Sequence, residues 1–436
     1  MDALATDFTK IGSILEGSHN NALVKLRGWV HRSRTSGGLC FLVLRDSSGT
    51  MQCAVKKDAV GEAAFAAASG AFIESSMMVE GTVKEDKRAP GGFELSASAV
   101  EMISQGEPFP IGKDQSTEFL LDVRHLWLRS QKLTHIMQAR DYITRYLREF
   151  FFKDNFYEVA PPIITKSACE GGSTLFELNY FGSPAYLSQS GQLYSEAVIA
   201  ALEKVFILAP SFRAEPSRTV RHLAEYWHLE PEMAFYSQKM NMELQEKMIE
   251  YVCHKMAAEH APLLQAIGRD PADLLEVKVP FERLPYEKAI PQLQELGFKI
   301  EWGQDVGADE EFALTKDKKN PVFLHNHPKD FKAFYMREDP AKPGTVLSAD
   351  LLAPQGHGEI IGGSERIWEY DELAARMSEQ KMREEDYKWY VELRKYGSVP
   401  HAGFGLGIER LTKWMLNLDH IRDTIPFPRV INRVYP

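Results

Sequence analysis

Ser211–Phe235 reads SFRAEPSRTVRHLAEYWHLEPEMAF and sets three arginines and two histidines among four glutamates. Its apolar residues do not recur at a steady helical period, so it does not read as a solvated surface helix. Val205–Phe212 and Trp227–Phe235 are β-like runs, and Glu215–Ala224 between them carries Pro216, Ser217, Arg218, Arg221 and His222. A long antiparallel hairpin with a basic loop is the simplest reading. Arg213 then sits on the strand rather than the loop, at a fixed place. A planar, always-charged guanidinium there suits a phosphate. An arginine paired with a nearby glutamate on a solvated hairpin fits the same residues, and the segment alone leaves both open.

A second stretch with chemical content is GFGLGIERL, Gly403–Leu411. Glycine alternates with apolar residues and the pattern then turns helical, so Arg410 projects from the first turn of a helix. Glycines let a flat ring or a phosphate lie against the backbone. The spacing matches neither GxGxxG nor GxxxxGK, so neither a dinucleotide fold nor a P-loop is indicated. His325 and His327, in HNHP, are two histidines at a polar strand end and carry no metal site by themselves.

These residues need elements to position them. From about residue 20 to 104 the chain reads as five short strands with turn signals at Ser36–Gly38, Ser47–Gly49 and Ala89–Gly92. An Ala-rich helix at Gly61–Ser69 follows the third strand. That order predicts a small Greek-key barrel of the OB type over residues 1–104. Gln105–Thr117, with Pro108, Pro110 and Gly112, reads as a linker, and the hinge is placed at 105–125. A helical pattern runs from near Leu126 to about Asp154, and FYEVAPPIIT follows it as an edge or extended crossing. Residues 126–436 then form a second, α+β domain. Its strong helical segment runs from about Lys239 to Leu264, and strands return near the C-terminus. No internal repeat or low-complexity tract appears.

In the barrel hairpin Cys40–Val55, Leu42, Leu44, Met51, Cys53 and Val55 take the interior. Period-two alternation then puts Phe41 and Gln52 on the other face. Lys25, Arg27, His31, Arg32 and Arg34 precede them. An aromatic to stack a base, an amide to read it and cations to hold phosphates make a single-stranded nucleic-acid site. A solvated hairpin whose Phe packs on the next domain fits the segment equally well.

The formal net charge is −10, which argues against indiscriminate coating of nucleic acid but leaves a specific nucleic-acid partner open. No apolar run approaches the roughly 20 residues that span a bilayer. The start, MDALATDFTK, lacks signal-peptide regions, so a cytoplasmic, membrane-free protein is expected. The four scattered cysteines form no CxxC pair and are expected to be reduced and buried.

FRAE…RHLAEYWHLEPEMAF resembles motif 2 of the class II aminoacyl-tRNA synthetases, GFGLGIERL resembles motif 3, and the long helix ending in FYEVAPPIIT resembles motif 1, usually a dimer element. An OB barrel, a hinge and then this domain is the order of the aspartyl, asparaginyl and lysyl subgroup. The resemblance implies a class II catalytic domain built on an antiparallel sheet flanked by helices, with an insertion at about 237–345 between motifs 2 and 3. It also implies a homodimer. ATP and Mg²⁺ would serve amino-acid adenylation, followed by transfer to a tRNA.

By the same resemblance, Arg213 contacts the α-phosphate, and Phe235 stacks on adenine with Arg410 on its other side. Arg221 and His222 lie near the β- and γ-phosphates, Glu215 holds the adenine edge, and Gly407 belongs to the ATP site. Asp350 and Glu359 resemble the magnesium-binding acids, although strand-end carboxylates would look the same. Arg213, Arg410 and Glu359 would carry catalysis. In the barrel, Phe41 and Gln52 would read an anticodon base, with Arg27 and Glu80 on the same face.

Within the subgroup a pocket for Asp needs surplus cation, whereas a pocket for Asn needs an acceptor for the amide. Aspartyl enzymes typically have a lysine where QLYSE has Ser195. Arg366, in EIIGGSERI, resembles the arginine that binds the side-chain oxygen, and Glu225 would accept the amide hydrogens. Glu170 and Gln192 would hold the α-amino group, with Gly171, Gly172 and Ser173 in a closing loop. Together with TIPFPRVINRVYP, these features resemble the asparaginyl branch, with L-asparagine and tRNA(Asn) as partners. Three alternatives remain at this point: an aspartyl enzyme, discriminating or non-discriminating, an asparagine synthetase on the same catalytic fold, and a binding protein with a dead site.

Overall fold

Period-two alternation over the first hundred residues closes into a barrel. In the computed structural model, which describes residues 1–169, 174–216 and 219–436, Met1–Leu121 and Asp122–Pro436 are two compact units. The first holds β1 (Leu23–Ser36), β2 (Leu39–Arg45), β3 (Thr50–Lys56), β4 (Ser76–Glu85) and β5 (Phe93–Ser104). They close in the order β1-β2-β3-β5-β4, which leaves no sheet edge. Leu42, Leu44, Met51, Cys53 and Val55 are buried inside it. The helix Glu62–Ser69 sits between β3 and β4, with Ala68 in the same core.

In the second unit the long helix spans Gln131–Lys153, later than its sequence pattern begins. Ser130 caps it by accepting from Leu133 N, and a separate short helix occupies Arg124–Trp127. Leu133, Ile136, Ala139, Ile143, Leu147 and Phe151 recur at helical spacing and are buried.

This helix and the helix Gln238–Glu259 share one core with the strands of an eight-stranded sheet. The sheet strands are β6 (Tyr157–Glu158), β10 (Lys204–Phe212), β11 (Glu225–Ala234), β12 (Glu282–Pro285), β13 (Val322–His325), β14 (Ser348–Ala353), β15 (Gly358–Glu365) and β16 (His401–Gly407). Their order is β12-β13-β14-β15-β16-β11-β10-β6. Pairing is antiparallel except at the two edges, β12–β13 and β10–β6. A small sheet of β7 (Ile164–Thr165), β8 (Glu177–Tyr180) and β9 (Ser183–Leu187) lies apart from it.

The expected insertion is no separate lobe. It supplies the edge strands β12 and β13 and a local core of Leu284, Tyr286, Ile290, Leu293, Leu314 and Leu324. All four cysteines are free and buried.

Candidate active site

The antiparallel pair β10–β11 places Phe212 opposite Glu225 and Leu208 opposite Leu229. Strand parity then decides which β11 side chains reach the large cavity. Tyr226, His228, Glu230 and Glu232 line it, whereas Leu229 and Met233 face the helical core. Glu225 has the wrong parity and is not among the lining residues, so the expectation that it faces the substrate amide is corrected. Phe235 is corrected too. It follows the end of β11 with φ +63° and is 63% exposed, so it cannot be the ring in the cavity. The aromatic that lines the cavity from this strand is Tyr226, with the Arg213 guanidinium 5.8 Å from its ring centre.

At the inner end, Arg366 donates from Nε and Nη2 to the two oxygens of Glu232, each at 3.0 Å. Glu230 accepts from Gly191 N at 2.9 Å and from Ser190 Oγ, with His228 Nδ1 3.2 Å away. Gln192 lines the same end and donates to Glu196 at 3.0 Å. Behind it, Glu196 is gripped by Arg394 at 2.6 Å, Tyr390 at 2.7 Å and His401 at 3.0 Å. Burial would raise the Glu196 carboxyl, but Arg394 and His401 hold it well below the usual range.

Ser195 does not reach the cavity; its hydroxyl is buried one turn away with no partner among the described residues. Glu170, with Gly171, Gly172 and Ser173, lies outside the described residues. The glycines of β16 serve this chain's own side chains. A Cβ at Gly403 would fall 2.1 Å from Glu232 Oε2, and one at Gly405 2.4 Å from His228 Nε2.

The outer end is rich in cations and acids. Arg213, Glu215, Arg221, His222, Gly407 and Arg410 all line it. Arg213 Nη1 lies 3.9 Å from Glu215, which lies 3.7 Å from His222. Burial, with Arg410 nearby, lowers the His222 pKa. Arg410 Nη1 donates to Glu359 Oε2 at 3.0 Å. Lys332 donates to Asp350 at 2.7 Å, and His327 Nε2 is 3.3 Å from the same carboxylate.

A Cβ at Gly362 would meet Glu359 Oε1 at 3.1 Å and Asp350 Oδ1 at 3.6 Å, so the two acids converge from neighbouring strands. Burial pushes Asp350 up to about 7, against the pull of Lys332. Burial acts upward on Glu359 as well, but Arg410, Lys332 and Arg213 hold it at about 2. Two carboxylates on one spot form an all-oxygen donor pair of the kind that hard divalent cations take.

Sequence reasoning missed Tyr226, Glu230, Glu232 and Lys332. Counting parity along β11 from the core residues Leu229 and Met233 would have found the first three. Nothing local to the sequence marked Lys332.

On the barrel, Phe41 of β2 stands opposite Arg34 of β1 and Ala54 of β3. Gln52 donates to Glu94 at 2.7 Å. Arg27 and Glu80 are not beside them. Both belong to the β1–β4 side, where Lys25 faces Glu80 and Arg27 faces Met78. Arg27 also donates to Ala3 O at 2.5 Å and Ala5 O at 3.1 Å. The barrel's closure carries β1 from one neighbour to the other, which separates residues that alternation alone puts on one face.

A family model for the class II tRNA synthetases (D, K and N) matches residues 116–431, and one for the OB-fold nucleic acid binding domain matches residues 24–103. An asparagine–tRNA ligase of Thermoplasma acidophilum is 47% identical over 426 residues, covering 98% of this chain and 99% of that one. The Thermococcus gammatolerans asparagine–tRNA ligase is 51% identical over 413 residues, covering 95% and 96%. The solved asparaginyl-tRNA synthetase of Pyrococcus horikoshii, complexed with asparaginyl-adenylate, superposes with a TM-score of 0.94 at 47% identity, covering 96% and 97%.

Proposed function

The chain belongs to the class II tRNA synthetases of the aspartate, lysine and asparagine group, and from that premise we infer how its cavity does the work. The reaction is asparagine–tRNA ligation. Asparagine and ATP give asparaginyl-adenylate and pyrophosphate, and asparagine then passes to the 3′ end of tRNA(Asn).

The observation that carries the residue-level reading is the charge balance at the inner end. One guanidinium, Arg366, is already matched by Glu232, and Glu230 adds a second carboxylate. Among the described residues, no surplus cation is left at this end for a substrate carboxylate. An amide NH₂ would find acceptors there, and its carbonyl oxygen would find Arg366. Glu230 therefore takes the role that the sequence assigned to Glu225. The Gln192 amide nitrogen is used by Glu196, which leaves its carbonyl oxygen to meet the α-ammonium group. Glu170 stays a candidate for the same group.

At the outer end Tyr226 offers a flat surface for adenine, with Arg410 on the other side and Glu215 at its edge. Arg213 would hold the α-phosphate, and Arg221 and His222 the phosphates beyond it. The substrate carboxylate attacks the α-phosphorus and pyrophosphate leaves. Charge grows on phosphate oxygens in that step, so fixed guanidinium groups lower the barrier without reorganising. Asp350 and Glu359 suit Mg²⁺, which when bound would neutralise phosphate charge. Lys332 and Arg410 occupy those acids otherwise.

Phe41, flanked by Arg34, and Gln52 are the proposed anticodon readers, with the barrel as residues 1–104 and the catalytic domain as 126–436. Phe152, Tyr157 and Ile164 are exposed at and beyond the end of the long helix, which supports a homodimer through that region. No helix among the described residues is long and apolar enough to cross a membrane. Charging tRNA supplies translation, which is the ground for reading the chain as cytoplasmic.

ATP–pyrophosphate exchange with Asn and with Asp, on wild type and Glu230→Gln, tests this reading. Exchange with Asn that drops about a hundredfold in the variant is expected, since a buried acceptor is removed from the substrate amide. Equal exchange with Asp, or an unaffected variant, would overturn the pocket assignment.

A further inference from the structure

The helix Ala308–Thr315 lies in the insertion, and it meets the outer end of the cavity through one carboxylate. Glu311 Oε2 accepts from Arg221 Nη2 at 2.6 Å and from the Glu359 backbone N–H at 2.9 Å. A single oxygen thus joins three stretches far apart in sequence: the basic loop before β11, the insertion, and β15. The side chains of Arg221 and Glu311 are only 13% and 11% exposed.

The seat around this contact is closely fitted. Gln355 N donates to Thr315 O at 2.9 Å, which docks the end of the helix on the β14–β15 turn. A Cβ at Gly358 would lie 2.4 Å from Arg221 Nη1 and 2.6 Å from Glu311 Oε2, and its φ is +76°. Glycine at this position is what lets the ion pair lie against the turn. Arg221 Nε is buried with no hydrogen-bond partner among the described residues, although the side chain lines the cavity. Glu311 engages one end of the guanidinium and leaves donors for another anion.

We propose that Glu311 is a positioning residue for the leaving group. It stations Arg221 so that the remaining donors meet the β- and γ-phosphates of ATP, and pyrophosphate once it is released. This rests on the reading above that the outer end of the cavity binds the phosphates. A long arginine on a loop samples many rotamers unless something fixes it. The carboxylate that fixes it also holds the backbone of Glu359, so the loop and the proposed metal acid keep one register. The insertion thereby gains a chemical task.

The test is a double-mutant cycle on Glu311→Gln and Arg221→Ala. Its readouts are KM for ATP and for asparagine and kcat in Asn-dependent ATP–pyrophosphate exchange, with magnesium pyrophosphate binding followed by calorimetry. Glu311→Gln is expected to raise KM for ATP and weaken pyrophosphate about tenfold, the size of one charged hydrogen bond, with KM for asparagine unchanged. In the Arg221→Ala background the same change should add nothing. Additive effects, or unchanged ATP and pyrophosphate binding in Glu311→Gln, would overturn the proposal alone. A wild type that exchanges with neither Asn nor Asp would overturn the phosphate-site reading and the proposal with it. If the Gln protein does not fold, Glu311→Asp carries the same cycle, because it keeps the charge but shortens the reach to Arg221.

Discussion

Glu232 and Arg366 hold each other through two hydrogen bonds of 3.0 Å, and their side chains are 1% and 3% exposed. The third guanidinium contact goes to Ser364 Oγ at 2.8 Å. This pair spans β11 and the end of β15, two strands that are not neighbours in the sheet. It braces the inner end of the cavity while cancelling the charge that an aspartate would seek. Burial works against the Glu232 carboxylate, and Arg366 is what offsets it.

Arg366→Ala should therefore cost stability as well as activity. It leaves Glu232 buried without its cation, a loss of about 3–5 kcal/mol for pairs of this kind. Urea unfolding should show the midpoint falling with the slope unchanged. Arg366→Ala combined with Glu232→Ala should recover part of that loss, because the stranded charge is then gone. A single variant as stable as wild type would mean that the pair does not brace the site.

Tyr226 and Phe235 give a second, sharper contrast. Tyr226→Ala should raise KM for ATP by about ten- to a hundredfold, since stacking a base on an aromatic ring is worth roughly 1–3 kcal/mol. Phe235→Ala should leave KM for ATP where it is, because that ring is 63% exposed and outside the cavity. Steady-state exchange kinetics on the two variants decide the matter. The opposite pattern would return adenine to Phe235.

These two residues also show how far the sequence was legible. Motif order, hairpin and barrel were readable because each leaves a local signature: alternation, turn residues, and basic side chains set between strands. The face to which a strand residue points follows from the same alternation, but only once one core residue is known. Leu229 supplies that reference, and it moves the aromatic role to Tyr226 and the acceptor role to Glu230. Arg27 and Glu80 lie apart from Phe41 and Gln52 for a different reason. A closed barrel hands β1 from β4 to β2 along its length, and no local pattern reveals where. Glu311 and Lys332 were invisible, because their importance comes from contacts across 90 residues in one case and 18 in the other.

The barrel assignment separates charging from activation. Phe41→Ala and Gln52→Ala should each lower kcat/KM for tRNA by about ten- to a hundredfold through lost stacking or base contact. Neither should change ATP–pyrophosphate exchange, which needs no tRNA. Arg27→Ala should have little effect on tRNA, since its guanidinium is used by the carbonyls of Ala3 and Ala5. Aminoacylation and exchange assays on the three variants check this. Loss of exchange in Phe41→Ala would indicate a folding defect instead of a missing base contact.

Stability should fall as pH drops below about 6.5, and two histidines, His327 buried and His357 half-buried, set the sign. Burial lowers His357 to about 4, with Lys413 adding to the shift, and burial holds His327 well below its ordinary 6.5. His327 is wedged between Ser348 Oγ at 2.8 Å and the Asp350 carboxylate at 3.3 Å, with Lys332 also on that carboxylate. His357 contacts Asn417 at 3.2 Å and Lys413 at 3.3 Å. Above pH 6.5 both rings are neutral folded or unfolded, so their contribution is complete. As pH falls from 6.5 towards 4, the unfolded chain takes up protons that the folded chain refuses. Each such group then costs up to about 1.4 kcal/mol per pH unit. Asp350, raised to about 7, works in the opposite sense over the same range and offsets one of the two rings. Chemical denaturation at pH 7.5, 6.5 and 5.5 should therefore show no fall of the midpoint over the first interval and a net fall over the second. His357→Gln, which keeps a hydrogen-bonding side chain but removes the titration, should flatten that fall. An equal decline in wild type and His357→Gln would assign the acid sensitivity to other groups, His327 first; Glu196 is not one of them, because its depressed carboxyl loses its contribution only at lower pH.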